Sequence, residues 1–347
     1  MNPASIPVTV IVPMRNEERH IARCLASILE NDVDPRQMEI LVVDGGSTDR
    51  SRQIAMEVAA TCDSIKVLDN PPRIVSAALN IGIRNARGSV IIIMGAHAEY
   101  SKDYISSCLH ELEATGADVV GGILETRPGG KSNVAEAIAM MSQHRLGVGG
   151  SAFRTSHESR YADTVPYGAY RREVFERAGL FNEQLVRNQD FEFNARVCKA
   201  GGKLFLSTNI RAAYYNAADL QSLLRQAFGN GRWLPAMWLS SPTALRLRHA
   251  VPALFVTILG LALTLGLFHK SFLLLGLTIL AVYAVAVMVA ATLICRERGS
   301  RLFIPLLSAF FTHHFAYGIG TLAGLTACAR LSFTASLVPG YSTSTRT

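Results

Sequence analysis

Val8-Thr-Val-Ile-Val-Pro-Met-Arg-Asn-Glu-Glu18 and Ile40-Leu-Val-Val-Asp-Gly-Gly-Ser-Thr-Asp49 share one design. Each is a short apolar run that stops abruptly, at Pro13 in the first and at Asp44 in the second, and continues into polar side chains. A run that is apolar at successive rather than alternate positions is buried on both faces, and such strands belong to parallel sheets covered by helices. Val90-Ile-Ile-Ile-Met-Gly-Ala-His-Ala-Glu99 repeats the pattern, and Ile65–Leu68 and Val119–Ile123 extend it. Helical patterns lie between them, at Ile21–Leu29, Ser51–Thr61, Ser76–Asn85 and Tyr104–Thr115. The alternation predicts one α/β domain with a mostly parallel sheet over residues 1–215.

Open parallel sheets bind ligands beyond the carboxyl ends of their strands. The chemistry is therefore sought just past Val12, Val43 and Met94. A turn followed by a helix N-cap accounts for Ser47 and Asp49 but leaves Asp44 unexplained. His97 and Glu99 follow the third strand end, and Asn188-Gln-Asp-Phe-Glu-Phe-Asn-Ala-Arg196 is a fourth polar stretch. No G-x-G-x-x-G follows a strand, and G-x-x-x-x-G-K-[ST] and G-x-S-x-G do not occur. Ordinary dinucleotide sites, P-loops and nucleophile-elbow hydrolases are excluded on that ground.

The C-terminal third obeys other rules. From Ser241 onward lie eight of the 34 Lys and Arg residues but one of the 27 Asp and Glu residues, so the first 240 residues carry 26 of each. The net charge of +7 thus sits around an apolar region instead of on a folded basic face, which argues against nucleic acid as a partner. Residues 251–268 and 272–294 contain no charge except the intervening Lys270, and each is long enough for a membrane span. Residues 302–329 form a third, weaker span, with His313, His314 and several glycines. The transmembrane region is expected over 250–330, with a Ser/Thr-rich tail at 331–347. Arg246 and Arg248 before the first span, and Arg296, Arg298 and Arg301 after the second, belong on the cytoplasmic side. An N-terminus without a basic, apolar leader agrees with a cytosolic first domain. Six cysteines without metal spacing read as reduced thiols.

Between the two regions, residues 216–249 hold Leu220, Leu223, Leu224, Ala227 and Phe228 at helical spacing, and both tryptophans, Trp233 and Trp238, interleaved with Arg225 and Arg232. This pattern predicts an amphipathic helix in the lipid headgroup region, with a helix packed on the α/β core as the alternative.

The ordered set V-x-x-P-x-x-N-E, V-V-D-x-G-S-T-D, a strand-end motif and N-Q-D resembles the family 2 glycosyltransferases. Arg73-Ile-Val-Ser-Ala-Ala-Leu-Asn80, Gly147-Val-Gly-Gly150, Tyr167-Gly-Ala-Tyr-Arg-Arg172 and Asn188-Gln-Asp-Phe-Glu192 are similar to its bacterial exopolysaccharide (succinoglycan) branch. The resemblance implies a Rossmann-like GT-A fold, a nucleotide-sugar donor, expected to be a UDP-sugar, and inversion at the anomeric carbon. It assigns Asp44 to the nucleotide's base or ribose, with Pro13, Asn16 and Glu17 shaping that pocket and Arg73 and Asn80 lining its donor side. It makes Asp190 the catalytic base, with Gln189 in place of the family's Glu; a helix N-cap is the competing account of Asp190. Arg171, Arg172, Arg232 and Trp233 would serve the acceptor or diphosphate side. The family's Asp-x-Asp reads Gly95-Ala96-His97 here. His97 is then either a ligand for a divalent cation, Mn²⁺ better than Mg²⁺, or a direct hydrogen-bond donor to the diphosphate. The expected enzyme adds one sugar to a polyprenyl-diphosphate-linked glycan, as a multi-pass protein of the bacterial inner (plasma) membrane with its catalytic domain on the cytoplasmic face. A catalytically degenerate membrane scaffold is the alternative from another class. A processive synthase is the third reading, opposed by Gly229, which stands where the Q-x-x-R-W motif has Gln.

Overall fold

The computed structural model describes residues 7–149, 151–244 and 246–337; the first six residues of the expected α/β domain, Gly150 of the quoted glycine run and the last ten residues of the tail lie outside the described residues. The chain forms two compact units, Met1–Ala218 and Asp219–Thr347.

In the first unit, β1 (Val8–Met14), β2 (Met38–Asp44), β3 (Ile65–Asp69), β4 (Val90–Ile93), β5 (Ala98–Tyr100), β6 (Val119–Arg127), β7 (Arg160–Ala162), β8 (Ala169–Arg171) and β9 (Leu204–Tyr215) make one sheet. Its order is β3-β2-β1-β4-β8-β6-β9-β5, with β7 paired to β9. The β3-β2-β1-β4 half is parallel, as the apolar runs require. Successive side chains of β1 and β2 point to opposite faces, which builds two cores. Val8, Val10, Val12, Ile40 and Val42 pack on one face with Ile21, Cys24, Leu25 and Ile28 of the helix Ile21–Leu29. Ile11, Leu41 and Val43 pack on the other with Ala78, Leu79 and Ile83 of the helix Val75–Asn85.

The other half corrects the expectation of a mostly parallel sheet. β8 runs antiparallel to both β4 and β6, and β5 and β7 run antiparallel to β9; only β6 and β9 pair in parallel. β5, β7 and β8 span three residues each, too short to carry a pattern. β9, Leu-Phe-Leu-Ser-Thr-Asn-Ile-Arg-Ala-Ala-Tyr-Tyr, mixes polar with apolar residues and lacks the continuous run of a strand buried on both faces.

The amino edge of the parallel half is closed by an ionic plug. Glu39, 2% exposed, accepts from Thr9 Oγ1 at 2.6 Å, from Arg87 Nε at 2.8 Å and from the Arg87 N–H. Burial pushes the Glu39 pKa up, but these hydrogen bonds outweigh it and the net shift is downward. A depressed carboxylate contributes stability above its unfolded pKa of about 4.3 and loses it as pH falls through the folded value. Glu39→Gln should therefore be less stable than wild type by about 1.5–3 kcal/mol near neutrality, and urea midpoints of the two should converge as pH falls through the carboxylate range.

The same edge claims Arg171 and Arg172, which were expected near the acceptor. In the antiparallel β4–β8 register Arg171 stands opposite Val90, the first residue of β4, at the far end from the strand's ligand side. Arg171 donates to the carbonyls of Ala117 (3.1 Å) and Leu112 (2.6 Å), and Arg172 to those of Gly88 and Ala86 (2.8 Å each). Both guanidinium groups cap main-chain carbonyls at helix ends and in the loops that follow them.

In the second unit, three helical stretches are long and apolar enough to cross a membrane: Leu247–Leu265, Lys270–Arg298 and Ser300–Ala329, with mean hydropathies of 1.6, 2.7 and 1.3. Tyr283 and His314 meet at 3.0 Å between Oη and Nδ1, giving a buried histidine of the third stretch a hydrogen-bond partner. The tryptophan-bearing segment is the helix Leu220–Ser240, and within this unit it lies along the helix Phe303–Leu337. Glycine makes that approach possible: a Cβ on Gly231 would sit 2.1 Å from the Tyr317 carbonyl oxygen, and one on Gly320 or Gly324 would sit 2.3 or 2.2 Å from the carbonyl oxygen of Phe228 or Arg232. Small residues four apart let helix backbones touch in this way. Arg232 and Trp238 remain exposed and Trp233 is half-buried. All six cysteines are free thiols.

Candidate active site

The carboxyl edge of the parallel half stays polar and open. The parallel register aligns Met14, Asp44 and Asp69 in a row across β1, β2 and β3. Pro13 is tolerated in this central strand because its nitrogen faces β4, where ladder pairing has stopped at Ile11 and Ile93. Beyond it Asn16 takes a positive φ of 57°, a conformation Asn accepts more readily than most residues. The Asn16 N–H donates to Ser47 Oγ (3.0 Å), and its Oδ1 accepts from the Thr48 N–H (2.8 Å). The Glu17 N–H donates to Ser51 Oγ at 2.6 Å. These bonds stitch the loop after β1 to the loop after β2, so Asn16 and Glu17 hold the loops together.

Asp44 is 2% exposed. Its Oδ1 accepts from the Ser47 N–H (3.1 Å) and Oγ (2.6 Å), while Oδ2 pairs with Arg52 Nη1 at 3.2 Å. The same Arg52 nitrogen reaches Asp69 Oδ1 at 2.7 Å. Asp44 thus organises the turn that follows β2. Asn70 follows β3, donates its N–H to the Asp44 carbonyl, and leaves a buried Oδ1 without a hydrogen-bond partner. Arg73, exposed and with φ of 60°, lays its side chain across Gly46, 3.2 Å from where a Cβ would stand. Arg73 therefore lies over the turn that follows β2. Asn80, expected on the donor side, is buried instead, donating to the Phe181 carbonyl (2.9 Å) and Glu183 Oε1 (2.7 Å) and accepting from the Phe181 N–H (2.9 Å). Its whole amide is engaged in anchoring another loop.

That anchored loop carries Asp190. Asn80 holds residues 181–183, and Ser76, in the first turn of the same helix, donates to the Leu185 carbonyl at 3.0 Å. Because the helix Val75–Asn85 follows β3, its first turn lies at the carboxyl edge. The chain therefore runs toward that edge from Phe181 to Leu185. Asn188 at φ 61° then reverses it into the helix Gln189–Lys199. Asp190 sits in the first turn with its side chain open to solvent, and half-buried Gln189 precedes it. The surrounding protein raises the Asp190 pKa by desolvation, against hydrogen bonds from the N–H groups of Phe191 and Asp190 itself. The neighbouring Glu192 is a different kind of carboxylate, 2% exposed and paired with Arg196 at 2.6 Å.

At the end of β4 the structure departs from an Asp-x-Asp arrangement in a specific way. A Cβ on Gly95 would lie 2.8 Å from both Cε1 and Oη of Tyr167. The Tyr167 ring occupies the room that a carboxylate side chain would need. It is boxed by Tyr100, at a ring separation of 5.7 Å, and Tyr104 Oη donates to its carbonyl at 2.8 Å. Gly95 thus gives its space to an aromatic ring, and its carbonyl accepts from Tyr100 Oη at 3.2 Å. His97 places Nδ1 3.4 Å from Glu17 Oε1 and its ring edge against Tyr214 at 5.3 Å. Glu99 turns to Arg23 (3.1 Å) and Tyr215 Oη (3.2 Å).

Residues 9–179 match the sequence profile described as Glycosyl transferase family 2. The chain is also 33% identical over 245 residues to the succinoglycan biosynthesis protein ExoA of Rhizobium meliloti (strain 1021), an alignment covering 70% of this chain and 73% of that one. The chain is a family 2 glycosyltransferase. A second relative of the glycosyltransferase, 31% identical over 232 residues covering 65% of this chain and 71% of its own, is the dolichyl N-acetyl-alpha-D-glucosaminyl phosphate 3-beta-D-2,3-diacetamido-2,3-dideoxy-beta-D-glucuronosyltransferase of Methanococcus voltae. Among solved structures, the mannosyltransferase PcManGT from Pyrobaculum calidifontis, in complex with GDP-Man and Mn²⁺, superposes with a TM-score of 0.59 at 21% identity, covering 93% of this chain and 88% of that one. The mixed, Rossmann-like sheet is thus a GT-A fold.

His97 was expected either as the ligand of a divalent cation or as a direct hydrogen-bond donor to the diphosphate, and the end of β4 carries no Asp-x-Asp pair beside it. His97 and Glu17 make a pair, Tyr167 fills the place of the absent carboxylate, and among the described residues no group of three or more His, Cys, Asp or Glu side chains is disposed to hold a metal ion. The polar residues that surround this point instead, Tyr167, Tyr214 and Arg154, were not singled out in the sequence. Tyr167 lay in a motif quoted for resemblance alone, and Arg154 stands just beyond the quoted glycine run in Ser151-Ala-Phe-Arg154.

Proposed function

We propose that this glycosyltransferase moves one sugar from a nucleotide-sugar donor, a UDP-sugar, to a polyprenyl-diphosphate-linked glycan, inverting the anomeric carbon, with Asp190 as the base. The observation that carries the reading is a carboxylate open to solvent in the first turn of a helix whose incoming loop is tied to the carboxyl edge of the sheet, with a pKa raised by its surroundings. Inversion requires one such base. Asp190 takes the proton of the acceptor hydroxyl as its oxygen bonds to the anomeric carbon from the face opposite the leaving group. The bond from that carbon to the diphosphate oxygen breaks, its electron pair stays with the oxygen, and a nucleoside diphosphate leaves. Asp44, Arg73 and the stitched loops of Asn16 and Glu17 frame the nucleotide.

The lipid-linked acceptor is supported by three apolar helices, the exposed Arg232 and Trp238 of the preceding helix, and the printed names of two relatives, one in succinoglycan biosynthesis and one acting on a dolichyl phosphate sugar. The positive flanks of the spans support a catalytic unit on the cytoplasmic face of a bacterial plasma membrane. Single addition is favoured over a processive synthase by Gly229 and by the small number of spans.

The Tyr167 ring over Gly95 is the one observation favouring a degenerate scaffold. The purified full chain, given lipid extract and a panel of nucleotide sugars, separates the readings: the transferase should release nucleoside diphosphate from one donor, and a scaffold should release none from any.

A further inference from the structure

Arg154 stands on the short helix Ala152–Thr155, half-buried. Its Nη1 donates to Thr126 Oγ1 of β6 at 2.8 Å, and its guanidinium lies 5.0 Å from the ring centre of Tyr214 and 5.6 Å from that of Phe153. Tyr214 stands on β9 between Thr126 of β6 and Ala98 of β5, and its ring meets His97 edge-on. Tyr167, whose hydroxyl lies near enough to Tyr214 and Arg154 for its titration to respond to theirs, covers Gly95. Arg154, Tyr214, Tyr167 and His97 are therefore one continuous cluster at the end of β4, where an Asp-x-Asp pair would stand.

The cation in this cluster lacks a counterion. Arg52, Arg87, Arg177 and Arg196 pair with carboxylates, and Arg171 and Arg172 cap carbonyls, but no carboxylate pairs with Arg154 among the described residues. Burial lowers its pKa, partly offset by Tyr214 and Tyr167. A guanidinium drawn out of water without an anion is unfavourable until one arrives. Five donors in a planar fork, with Thr126 and Tyr214 engaging only part of it, suit two oxygens of a phosphate.

We propose that Arg154, framed by Tyr214, Tyr167 and His97, binds the diphosphate of the nucleotide-sugar donor and supplies the positive charge that a carboxylate-held cation would otherwise bring. As the anomeric carbon–oxygen bond breaks, the electron pair passes to the diphosphate oxygen, and the preplaced guanidinium neutralises the charge that develops there. The proposal rests on the transferase reading.

Binding of UDP and GDP to the full chain in detergent, measured by calorimetry with excess EDTA and with Mn²⁺, tests it. Wild-type affinity for the preferred nucleotide should be the same in both buffers. Arg154→Gln should weaken it by about 10–100-fold, and Arg154→Lys should recover part of the loss. Thermal melting of each variant separates this from misfolding: if Arg154→Gln does not fold, a folded Arg154→Lys variant with undiminished affinity and transfer rate overturns the proposal, and one weakened in both buffers supports it. Wild-type affinity that collapses in EDTA and returns with Mn²⁺ would overturn it. So would unchanged nucleotide binding in Arg154→Gln with a raised KM for the lipid acceptor, which would assign the anion to the acceptor's own phosphates. A wild type that neither binds a nucleotide nor releases one from any sugar donor would overturn the transferase reading as well, whereas nucleotide binding independent of Arg154 overturns this proposal alone.

Discussion

Asp190→Asn should reduce kcat for sugar transfer by about 10²–10⁴ while leaving nucleoside diphosphate affinity within about twofold. The amide keeps the shape of the side chain and its place in the first turn of the helix Gln189–Lys199 but cannot accept the acceptor's proton. The wild-type pH profile carries the same signature. Asp190 works only when deprotonated, and desolvation holds its pKa above the ordinary aspartate value of about 3.9. Wild-type kcat should therefore fall as pH drops through that raised value, and this acid limb should be missing from the residual activity of the variant. Glu192 offers no substitute base, since it is buried against Arg196 two residues further on. Turnover near the wild-type level in stopped assays would remove Asp190 from the mechanism.

Arg196→Met should have the largest effect on stability. Arg196 donates to Glu192 through Nε (2.6 Å) and Nη2 (3.0 Å), to the Leu180 carbonyl at 2.8 Å, and to the Ala178 carbonyl. Removing it strands a buried carboxylate and frees the start of the loop that leads to Asp190. Breaking a buried pair from one side costs about 3–5 kcal/mol, a large share of the 5–15 kcal/mol that typically holds a domain folded. The double variant Glu192→Gln with Arg196→Met should recover part of the loss, because no charge is left unpaired. Urea denaturation of the wild type, the single and the double variant checks the order.

The parallel half of the sheet was legible because β1, β2 and β4 are short, apolar at successive positions and closed by Pro13, Asp44 and Gly95. The helices Ile21–Leu29 and Tyr104–Thr115 fall where their periodicity predicts, and the membrane-length helices follow from uncharged runs. The antiparallel half was not legible. β5, β7 and β8 have three residues each, and their pairing is fixed by long-range partners that no local pattern reveals. In the candidate site, several residues near strand ends are engaged by partners that local sequence does not reveal. Asn80 and Arg172 carry polar groups that loop carbonyls consume, and Asp44 is taken up by Ser47 and Arg52. Arg154 and Tyr214 come together beside His97 through tertiary packing from 152–155 and β9, which spacing along the chain does not encode.

A single, inverting transfer leaves its record in the anomeric configuration of the transferred sugar. The lipid-linked product made by the purified full chain from its preferred α-linked nucleotide sugar should, by NMR coupling constants, carry one added residue in the β configuration. A product that retains the α configuration would contradict a mechanism built on Asp190 as the one base.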